Sequence, residues 1–346
     1  MRIIDLRSDT ATRPSEAMRR FMAYAPVGDE QIREDPTVNE LQETTAALLG
    51  KEAALFLPST TMANQIAFKV LTNPGDEILI EATAHPVHFE AGGLAFHSGL
   101  MVHPIEGEHG LFRPEQVEAA IRPDNPHHCR TTCLSIENTH NMGGGTIWPL
   151  DLLLAVCRAG KKHGLKLHLD GSRLLNAAVA TGIPAGEYAA PFDAVALCFT
   201  KGLGAPVGSC LAGSKEIIEE ARRYKHLFGG AMRQAGIIAA GALYALRHNV
   251  DRLAEDHANA QKLAQGLADI PGIDIDPRHV ETNLVFFNVA KTGLTPAEIS
   301  RRLREEHGVL ILPTLGSGRM RAVTHLDINA EDIDIALQAI KKVVIS

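Results

Sequence analysis

The chain has 346 residues, of which 45% are hydrophobic and 22% charged, and its formal net charge at pH 7 is -7. This composition is typical of an ordinary globular protein and is long enough for about two domains. The negative charge excludes the basic surface of a nucleic-acid-binding protein, and no uninterrupted apolar run is long enough to span a membrane.

The first thirty or so residues contain no clear strand–helix unit and are interpreted as an N-terminal arm. Their opening segment, MRIIDLRSDTATRPS, is too polar for a signal peptide. The chain has five cysteines and no CxxC spacing, a pattern that favours reduced thiols. We therefore expect a cytoplasmic protein.

From about residue 53 to residue 212, short apolar runs alternate with amphipathic helical stretches. The predicted strands are ALFL (53–56), EILI (77–80), LMVHPI (100–105), TCLSIE (132–137), LKLHLD (165–170), AVALCF (194–199) and SCLAG (209–213). This alternation predicts an α/β fold with a mostly parallel sheet and helices on both faces. A long helical region is predicted next, from about Met232 to Leu267.

The pattern changes after Pro271. Strands are predicted in IDIDP, NLVFFNV, VLILP and RAVTHL, and helices in TPAEISRRLREEHG and AEDIDIALQAIKKVV. Thr295 and Asn329 are suitable N-caps for the two helices. We predict a large domain with its N-terminal arm over residues 1–250 and a smaller C-terminal α+β domain over residues 251–346.

Polar side chains follow several predicted strands, at the sheet edge where open α/β proteins bind ligands. They are Ser59, Thr60, Thr61, His85, Asp170, Ser172, Arg173 and Lys201. Hydroxyl groups at a helix start suit a phosphate, because free N–H groups and the helix dipole point there. A lysine and an aspartate on successive strand ends, beside a phosphate site, match what pyridoxal phosphate requires.

The chain resembles the low-specificity L-threonine aldolases, pyridoxal-phosphate enzymes with the aspartate-aminotransferase-like fold (fold type I). The matching segments are DLRSDTATRPS, GDE with EDPTVNELQ, HFEAGG, LSIENTHN, HLDGSRLLNA, KGLGAPVGS, GGAMRQAG, NVDRLAEDH and RAVTHLD. They follow the family's order and cover almost the whole chain. The resemblance implies an amino-acid substrate and a homotetramer with shared sites. The negative charge and the lack of a long apolar run predict neither nucleic acid nor membrane as a partner.

The resemblance also implies roles for individual residues. The catalytic residues so implied are Lys201, which forms the Schiff base, with His85 and His127, either of which, or a held water, takes the proton of the substrate β-hydroxyl. The cofactor-binding residues so implied are Lys201, Asp170, Arg173, His85, Thr60, Thr61 and Arg233. The substrate-binding residues so implied are Ser8, Arg173, Arg321 and His127. Arg319 competes with Arg321 for its role, and we favour Arg321 because it directly precedes AVTHLD.

The expected reaction is retro-aldol cleavage of a β-hydroxy-α-amino acid of the threonine or allo-threonine type to glycine and an aldehyde. β-Elimination, racemisation and transamination on the same scaffold are alternatives. A bulkier or more acidic substrate is a further alternative, since Thr60 stands where the family usually has glycine, and Ile32 and Arg33 where it usually has Tyr-Gly. No metal is predicted, because the histidines and cysteines of PHHCRTTC match no standard zinc spacing.

Overall fold

The computed structural model describes residues 2–314 and 318–345. Its strands are β1 (Ile4–Asp5), β2 (Ala53–Leu57), β3 (Glu77–Glu81), β4 (Met101–Ile105), β5 (Thr131–Glu137), β6 (Lys166–Gly171), β7 (Ala194–Cys198), β8 (Ser209–Gly213), β9 (Leu284–Asn288), β10 (Val309–Leu310), β11 (Leu312–Pro313) and β12 (Arg319–Val323). Its α-helices are α1 (Glu16–Ala23), α2 (Pro36–Leu49), α3 (Thr60–Leu71), α4 (His85–His88), α5 (Gly93–Ser98), α6 (Pro114–Ala120), α7 (Leu150–Lys162), α8 (Leu174–Thr181), α9 (Ala185–Ala189), α10 (Lys215–Leu227), α11 (Gly236–His248), α12 (Leu253–Ala268), α13 (Pro296–His307) and α14 (Ala330–Ile345). None of these helices is long and apolar enough to cross a bilayer.

The central sheet has the strand order β2-β8-β7-β6-β5-β3-β4. From β7 to β4 neighbouring strands are parallel, whereas β8 is antiparallel to β7 and to β2. Every residue of β3, β7 and β8 is buried. Along β7, Val195 enters one apolar core while Ala194 and Ala196 enter another, so both faces of the sheet are covered. The predicted α/β fold is confirmed.

The C-terminal part has its own antiparallel sheet, in the order β11-β12-β9. Residues of α12, α13 and α14 pack on this sheet in a separate apolar core. The N-terminal arm returns to the same place, because β1 pairs in parallel with β10 and Leu6 is buried in this core. The arm is therefore packed against the C-terminal part of the chain.

One strand prediction about the C-terminal half is wrong, and the predicted helical region consists of two helices. Residues 273–276 form no strand, and Asp274 pairs with Asn288 in an isolated bridge, because Asp276 caps a 3₁₀ turn that starts at Pro277. The helical region is divided into α11 and α12 by a turn, in which the Asn249 side chain donates to the carbonyl of Leu203 at 2.7 Å.

The two predicted N-caps of the C-terminal helices are confirmed. The Thr295 hydroxyl accepts a hydrogen bond from the Glu298 amide at 3.2 Å, and the Asn329 side chain accepts one from the Asp332 amide at 2.9 Å. Each bond satisfies one of the amide groups that a helix start leaves without an intrahelical partner.

Candidate active site

A cavity of about 360 Å³ lies beyond the carboxyl ends of β6 and β7. It is lined by Thr10, Thr12, Pro58, Ser59, Thr60, Thr61, His85, Ser172, Cys198, Thr200, Lys201, Ala205, Pro206 and Val207. A larger cavity, of about 460 Å³, lies near α6 and does not contain these side chains. Of the predicted site residues, Lys201, His85, Thr60 and Thr61 line the smaller cavity, where parallel strands bring loops from distant parts of the chain together.

Lys201 lies three residues after β7 and lines this cavity. Within the described part of the chain its Nζ atom makes no hydrogen bond or ion pair, while its carbonyl accepts bonds from Thr12 Oγ1 at 3.0 Å and the Gly204 amide at 2.8 Å. Gly204 has a φ of +76°, which side-chain-bearing residues rarely adopt. The glycine turn thus fixes the lysine backbone and leaves its amine available.

Asp170, at the end of β6, is almost fully buried. Its carboxylate accepts hydrogen bonds from Asn64 Nδ2 at 2.8 Å and from the Ser172 amide at 3.0 Å. Burial alone raises the pKa of Asp170, but the charges of His85 and Lys201 and the Ser172 bond outweigh it and hold the pKa below its ordinary value. Asp170 is therefore an ionised group suited to a cationic ring nitrogen.

His85 belongs to a buried hydrogen-bond network that the sequence did not reveal. Its Nδ1 lies 3.0 Å from Glu90 Oε1, and its backbone amide donates to Glu137 at 2.8 Å. Asn64 Nδ2 donates to Glu90 as well as to Asp170, and Gln65 donates to the other Glu90 oxygen at 2.6 Å. The network thus connects the ring of His85 to the carboxylate of Asp170.

A glycine keeps space for this network. A Cβ atom at Gly93 would lie 2.5–2.8 Å from the carboxamide of Gln65, so a side chain there would displace Gln65 from Glu90. Both Glu90 and Gly93 belong to the segment HFEAGG, which the sequence offered as a signal without indicating its contacts.

The same network contains the group of metal-ligating atoms found in the described residues. Ligand atoms of His85, Glu90 and Asp170 lie within 4.8 Å of one another. Because Asn64 donates to both carboxylates and His85 contacts Glu90, these groups already satisfy one another. We interpret the cluster as a hydrogen-bond network that orients His85.

Glu90→Gln is expected to lower the pKa of His85. Burial lowers that pKa, but the hydrogen bond with Glu90 and the charges of Asp170 and Glu137 outweigh it, so the native pKa is raised above 6.5. The raised pKa of His85 stabilises the folded protein most at pH values below the ordinary histidine pKa of 6.5. This stabilisation is lost as the pH rises through the raised pKa. NMR titration of the His85 ring, with the exposed Glu106→Gln as control, measures the shift. An unchanged or higher pKa would contradict the role of Glu90.

The start of α3 lies at another edge of the cavity and could hold an anion. Ser59 is the N-cap and accepts from the Met62 amide at 3.2 Å. The Thr60 hydroxyl is buried and has no hydrogen-bond partner in the part of the chain that the structure describes, and Thr61 lines the same cavity. Together with the free amides and dipole of the helix start, these hydroxyls fit a phosphate group. Thr60 does not have a positive φ, so the replacement of the family's usual glycine causes no backbone strain.

Arg173 and Arg321 lie near each other, where the arm meets the C-terminal sheet. Arg173 is buried and forms a two-pronged ion pair with Asp9, at 2.7 and 2.8 Å. Arg321 donates to Asn141 Oδ1 and to the carbonyl of Arg7, each at 3.2 Å. Its Nε atom is buried and has no hydrogen-bond partner among the described residues, so it could donate to an anion.

Arg319, the competing arginine, has a different environment. Its guanidinium stacks 4.1 Å from the centre of the Phe286 ring and donates to the carbonyl of Met142 at 3.3 Å. Ser8 caps the 3₁₀ turn that begins at Asp9, with its hydroxyl accepting from Thr10. The geometry therefore favours Arg321 over Arg319 and places Ser8 beside the site without making it part of the cavity lining.

Six predicted site residues do not line the cavity of their own chain, namely Asp170, Arg173, Arg321, Ser8, His127 and Arg233. His127 is exposed in the loop before β5, while the cavity lies beyond the opposite ends of the parallel strands, and the seven residues of β5 span roughly 20 Å. Arg233 is also exposed and pairs with Asp29 at 2.8 Å.

Arg33 stands at a position that is usually glycine in the family that the chain resembles, and it has a φ of +64°.

Comparison with known proteins gives one consistent result. A family model described as Beta-eliminating lyase matches residues 5–292. The low-specificity L-threonine aldolase of Escherichia coli (strain K12) is 42% identical over 332 residues, which cover 96% of each chain. Low-specificity L-threonine aldolase 1 of Arabidopsis thaliana is 39% identical over 350 residues, covering 100% of this chain and 98% of that one.

Solved structures have the same fold. The threonine aldolase of Leishmania major superposes with a TM-score of 0.83 at 19% identity and covers 99% of each chain. A putative aromatic amino acid beta-eliminating lyase/threonine aldolase from Exiguobacterium sp. 255-15 gives a TM-score of 0.82 at 22% identity, covering 98% of this chain and 96% of that one. At these identities the likeness concerns the fold alone.

Proposed function

The chain belongs to the beta-eliminating lyase family and, within it, to the low-specificity L-threonine aldolases, and on that premise we propose that it cleaves threonine to glycine and acetaldehyde with pyridoxal phosphate as cofactor. One observation carries the proposal. The cavity joins Lys201, whose amine has no partner in the described residues, to the helix start at Thr60, and ionised Asp170 lies beside it. An amine, an anion for the ring nitrogen and a phosphate site are what this cofactor requires.

The residues that would hold the cofactor are those around this cavity. When bound, pyridoxal phosphate supplies an electron sink for the pair left on Cα as the Cα–Cβ bond breaks. Lys201 would hold it through its amine, and the hydroxyls and amides at the start of α3 would bind its phosphate. The low pKa of Asp170 keeps that carboxylate ionised, so it would retain a proton on the ring nitrogen.

Arg173 and Arg321 bind the substrate carboxylate, since a planar guanidinium offers two parallel donors to a carboxylate. Holding the carboxylate would fix the orientation of the substrate, and with it which bond of Cα is cleaved. His85 accepts the proton of the β-hydroxyl at Nε2, because its Nδ1 contacts Glu90. His127 and a held water remain the other candidates for this base.

The test is the absorption spectrum of the purified protein followed by product analysis. A band near the edge of the visible range is expected of a bound pyridoxal imine, and threonine should then yield glycine and acetaldehyde in equal amounts. Allo-threonine, phenylserine and 3-hydroxyaspartate, assayed in parallel, test the bulkier and more acidic substrates. Ammonia and 2-oxobutanoate in place of glycine would identify β-elimination and overturn the aldolase proposal.

We also propose that the chain forms a homotetramer whose sites are shared between subunits. Support comes from His127 and Arg233, which lie outside the cavity of their own chain. It also comes from Tyr24, Phe96 and Leu227, which are 87%, 84% and 71% exposed, since large apolar side chains of this kind are common at subunit interfaces. Analytical ultracentrifugation measures the assembly.

Shared sites predict that two variants, each of which lowers activity alone, rescue each other. In a mixed dimer of Lys201→Ala and His127→Ala, one site carries both changes and the other carries neither, if His127 acts in the partner's site. Co-expressed variants, purified by two different tags, are therefore expected to regain part of the wild-type activity. Mixed assemblies as inactive as Lys201→Ala alone would contradict a shared site in which His127 takes part.

Two further parts of the proposal concern location and domains. A cytoplasmic location is supported by the cysteines of the described chain, all of which are free thiols. A large domain over residues 1–250 and a small one over residues 251–346 are supported by the separate apolar core beneath β9 and β12. The arm enters that core through Ile4 and Leu6, so it would link the two domains.

A further inference from the structure

Asp9 is a buried carboxylate to which neither the sequence nor the proposed reaction assigns a role. Its side chain is completely inaccessible, and it accepts from Arg173 Nε at 2.7 Å and from Arg173 Nη2 at 2.8 Å. Asn283 Nδ2 donates to the same carboxylate at 3.1 Å. One carboxylate thus joins the arm, the loop after β6 and the C-terminal part of the chain.

The ion pair determines which side of the Arg173 guanidinium remains available. A guanidinium has five N–H donors in a planar fork, and Asp9 occupies the edge formed by Nε and Nη2. The remaining nitrogen, Nη1, makes no hydrogen bond with residues 2–314 or 318–345. Asp9 therefore fixes the plane of the guanidinium and leaves its Nη1 end for a second carboxylate.

Asp9 also balances the charges of two neighbouring arginines. Burial and the positive charge of Arg173 lower the pKa of Arg321, and the charge of Asp9 acts in the opposite direction. Although burial raises the pKa of Asp9 itself, the charge and hydrogen bonds of Arg173 hold it well below its usual range. Asp9 is thus ionised, and with it the two arginines carry one surplus positive charge, which one α-carboxylate would neutralise.

We propose that Asp9 is a positioning residue for the substrate: it holds the Arg173 guanidinium so that Arg173 Nη1 and the unpartnered Nε of Arg321 together bind the α-carboxylate of the amino acid. This inference rests on the proposed function and deepens it. Asp9 acts through Arg173 and takes no part in bond cleavage. Its removal should therefore affect the recognition of a carboxylate and not that of an amine or a hydroxyl.

The experiment compares two ligands that differ in the carboxylate. Glycine carries it, whereas 1-amino-2-propanol has the amine and β-hydroxyl of threonine without it. Both ligands are titrated by absorbance into the enzyme loaded with pyridoxal phosphate. Asp9→Asn is expected to weaken the binding of glycine about ten- to hundredfold, the range for the loss of hydrogen bonds to a charged group. The affinity for 1-amino-2-propanol should change less than about twofold, which is no more than an ordinary surface substitution causes. The KM for threonine should rise more than kcat falls.

A second variant and a matched control complete the test. Asn283→Ala removes the other donor to Asp9 and should give a smaller loss of the same selectivity, which covers the case in which Asp9→Asn does not fold. Asp5→Asn breaks an Asp–Arg pair of the same arm, with Arg7 at 2.6 Å, and should leave both affinities unchanged.

The outcomes separate this inference from the proposed function. Equal weakening of glycine and 1-amino-2-propanol, no weakening of either, or tighter binding of glycine would each overturn the positioning role. Selective loss of glycine supports that role even if wild-type enzyme fails to cleave threonine, a result that would overturn the aldolase proposal alone.

Discussion

Lys201→Ala is expected to lower kcat/KM for threonine by at least about a thousandfold, or about 4 kcal/mol of transition-state stabilisation. Lys201 lines the cavity, and its amine has no partner in the described chain. The charge of this amine interacts with the carboxylates of Asp9 and Asp170. No other lysine lines this cavity within the described residues, so no neighbouring amine can replace it. Steady-state cleavage assays measure the loss, and the absorption spectrum should lose the band of the covalently held cofactor.

Lys215→Ala is the matched control, because Lys215 is an exposed lysine at the first position of α10. It should retain wild-type activity and spectrum. Circular dichroism of both variants checks the fold, since Lys201 makes no side-chain hydrogen bond with the described residues whose loss would destabilise the protein. A Lys201→Ala protein with the wild-type band and more than about a tenth of the activity would contradict the assignment of this amine.

The part of the site predicted from the sequence is the part encoded locally. Lys201 follows the buried strand β7 by three residues and Asp170 lies at the end of β6, so recognising each strand also locates the side chain at its end. Their proximity follows from a general property, namely that β6 and β7 are neighbouring parallel strands whose carboxyl ends lie at one edge. The strand pattern was therefore sufficient to indicate both residues.

The rest of the site depends on contacts between distant segments, for which periodicity gives no signal. Asp9 is 164 residues from Arg173 in the chain, and Glu90 is 26 residues from Asn64. Nothing in DLRSDT indicates that this aspartate, rather than Asp5, becomes buried against an arginine. His127 illustrates a different limit, because a motif locates a residue in the chain but does not place it at the cavity, and His127 lies exposed in the loop before β5.

The arm, interpreted from its sequence as lacking a strand–helix unit, is part of the site. Thr10 and Thr12 line the cavity, the Thr12 hydroxyl donates to the carbonyl of Lys201, and the carbonyl of Arg7 accepts from Arg321. These contacts thus explain why the N-terminal arm is too polar for a signal peptide. Since β1 also pairs with β10, the arm brings the C-terminal part of the chain to the cavity.

Asp170→Asn is expected to lower kcat for threonine about a thousandfold or more, with a smaller effect on KM. A neutral carboxamide cannot balance a proton on the cofactor's ring nitrogen, so the electron sink is weakened. The change also disturbs the fold locally. Asn64 and the Ser172 amide both donate to the carboxylate, and a carboxamide has one oxygen for these two donors. The unsatisfied buried donor should reduce stability by about 1–3 kcal/mol.

Asp76→Asn separates these two effects. Asp76 is also a buried aspartate at a strand end, and it accepts from the Asn73 amide, Thr132 and Arg130 at 2.9–3.2 Å. It precedes β3, however, at the sheet edge opposite the cavity, so Asp76→Asn should lose stability while keeping the spectrum and kcat of the wild type. Thermal melting and cofactor spectra of both variants distinguish a role of the Asp170 carboxylate in the fold from a role toward the ring nitrogen of the cofactor. If Asp170→Asn melts lower but cleaves threonine as fast as Asp76→Asn, the carboxylate serves the fold and has no role toward the ring nitrogen.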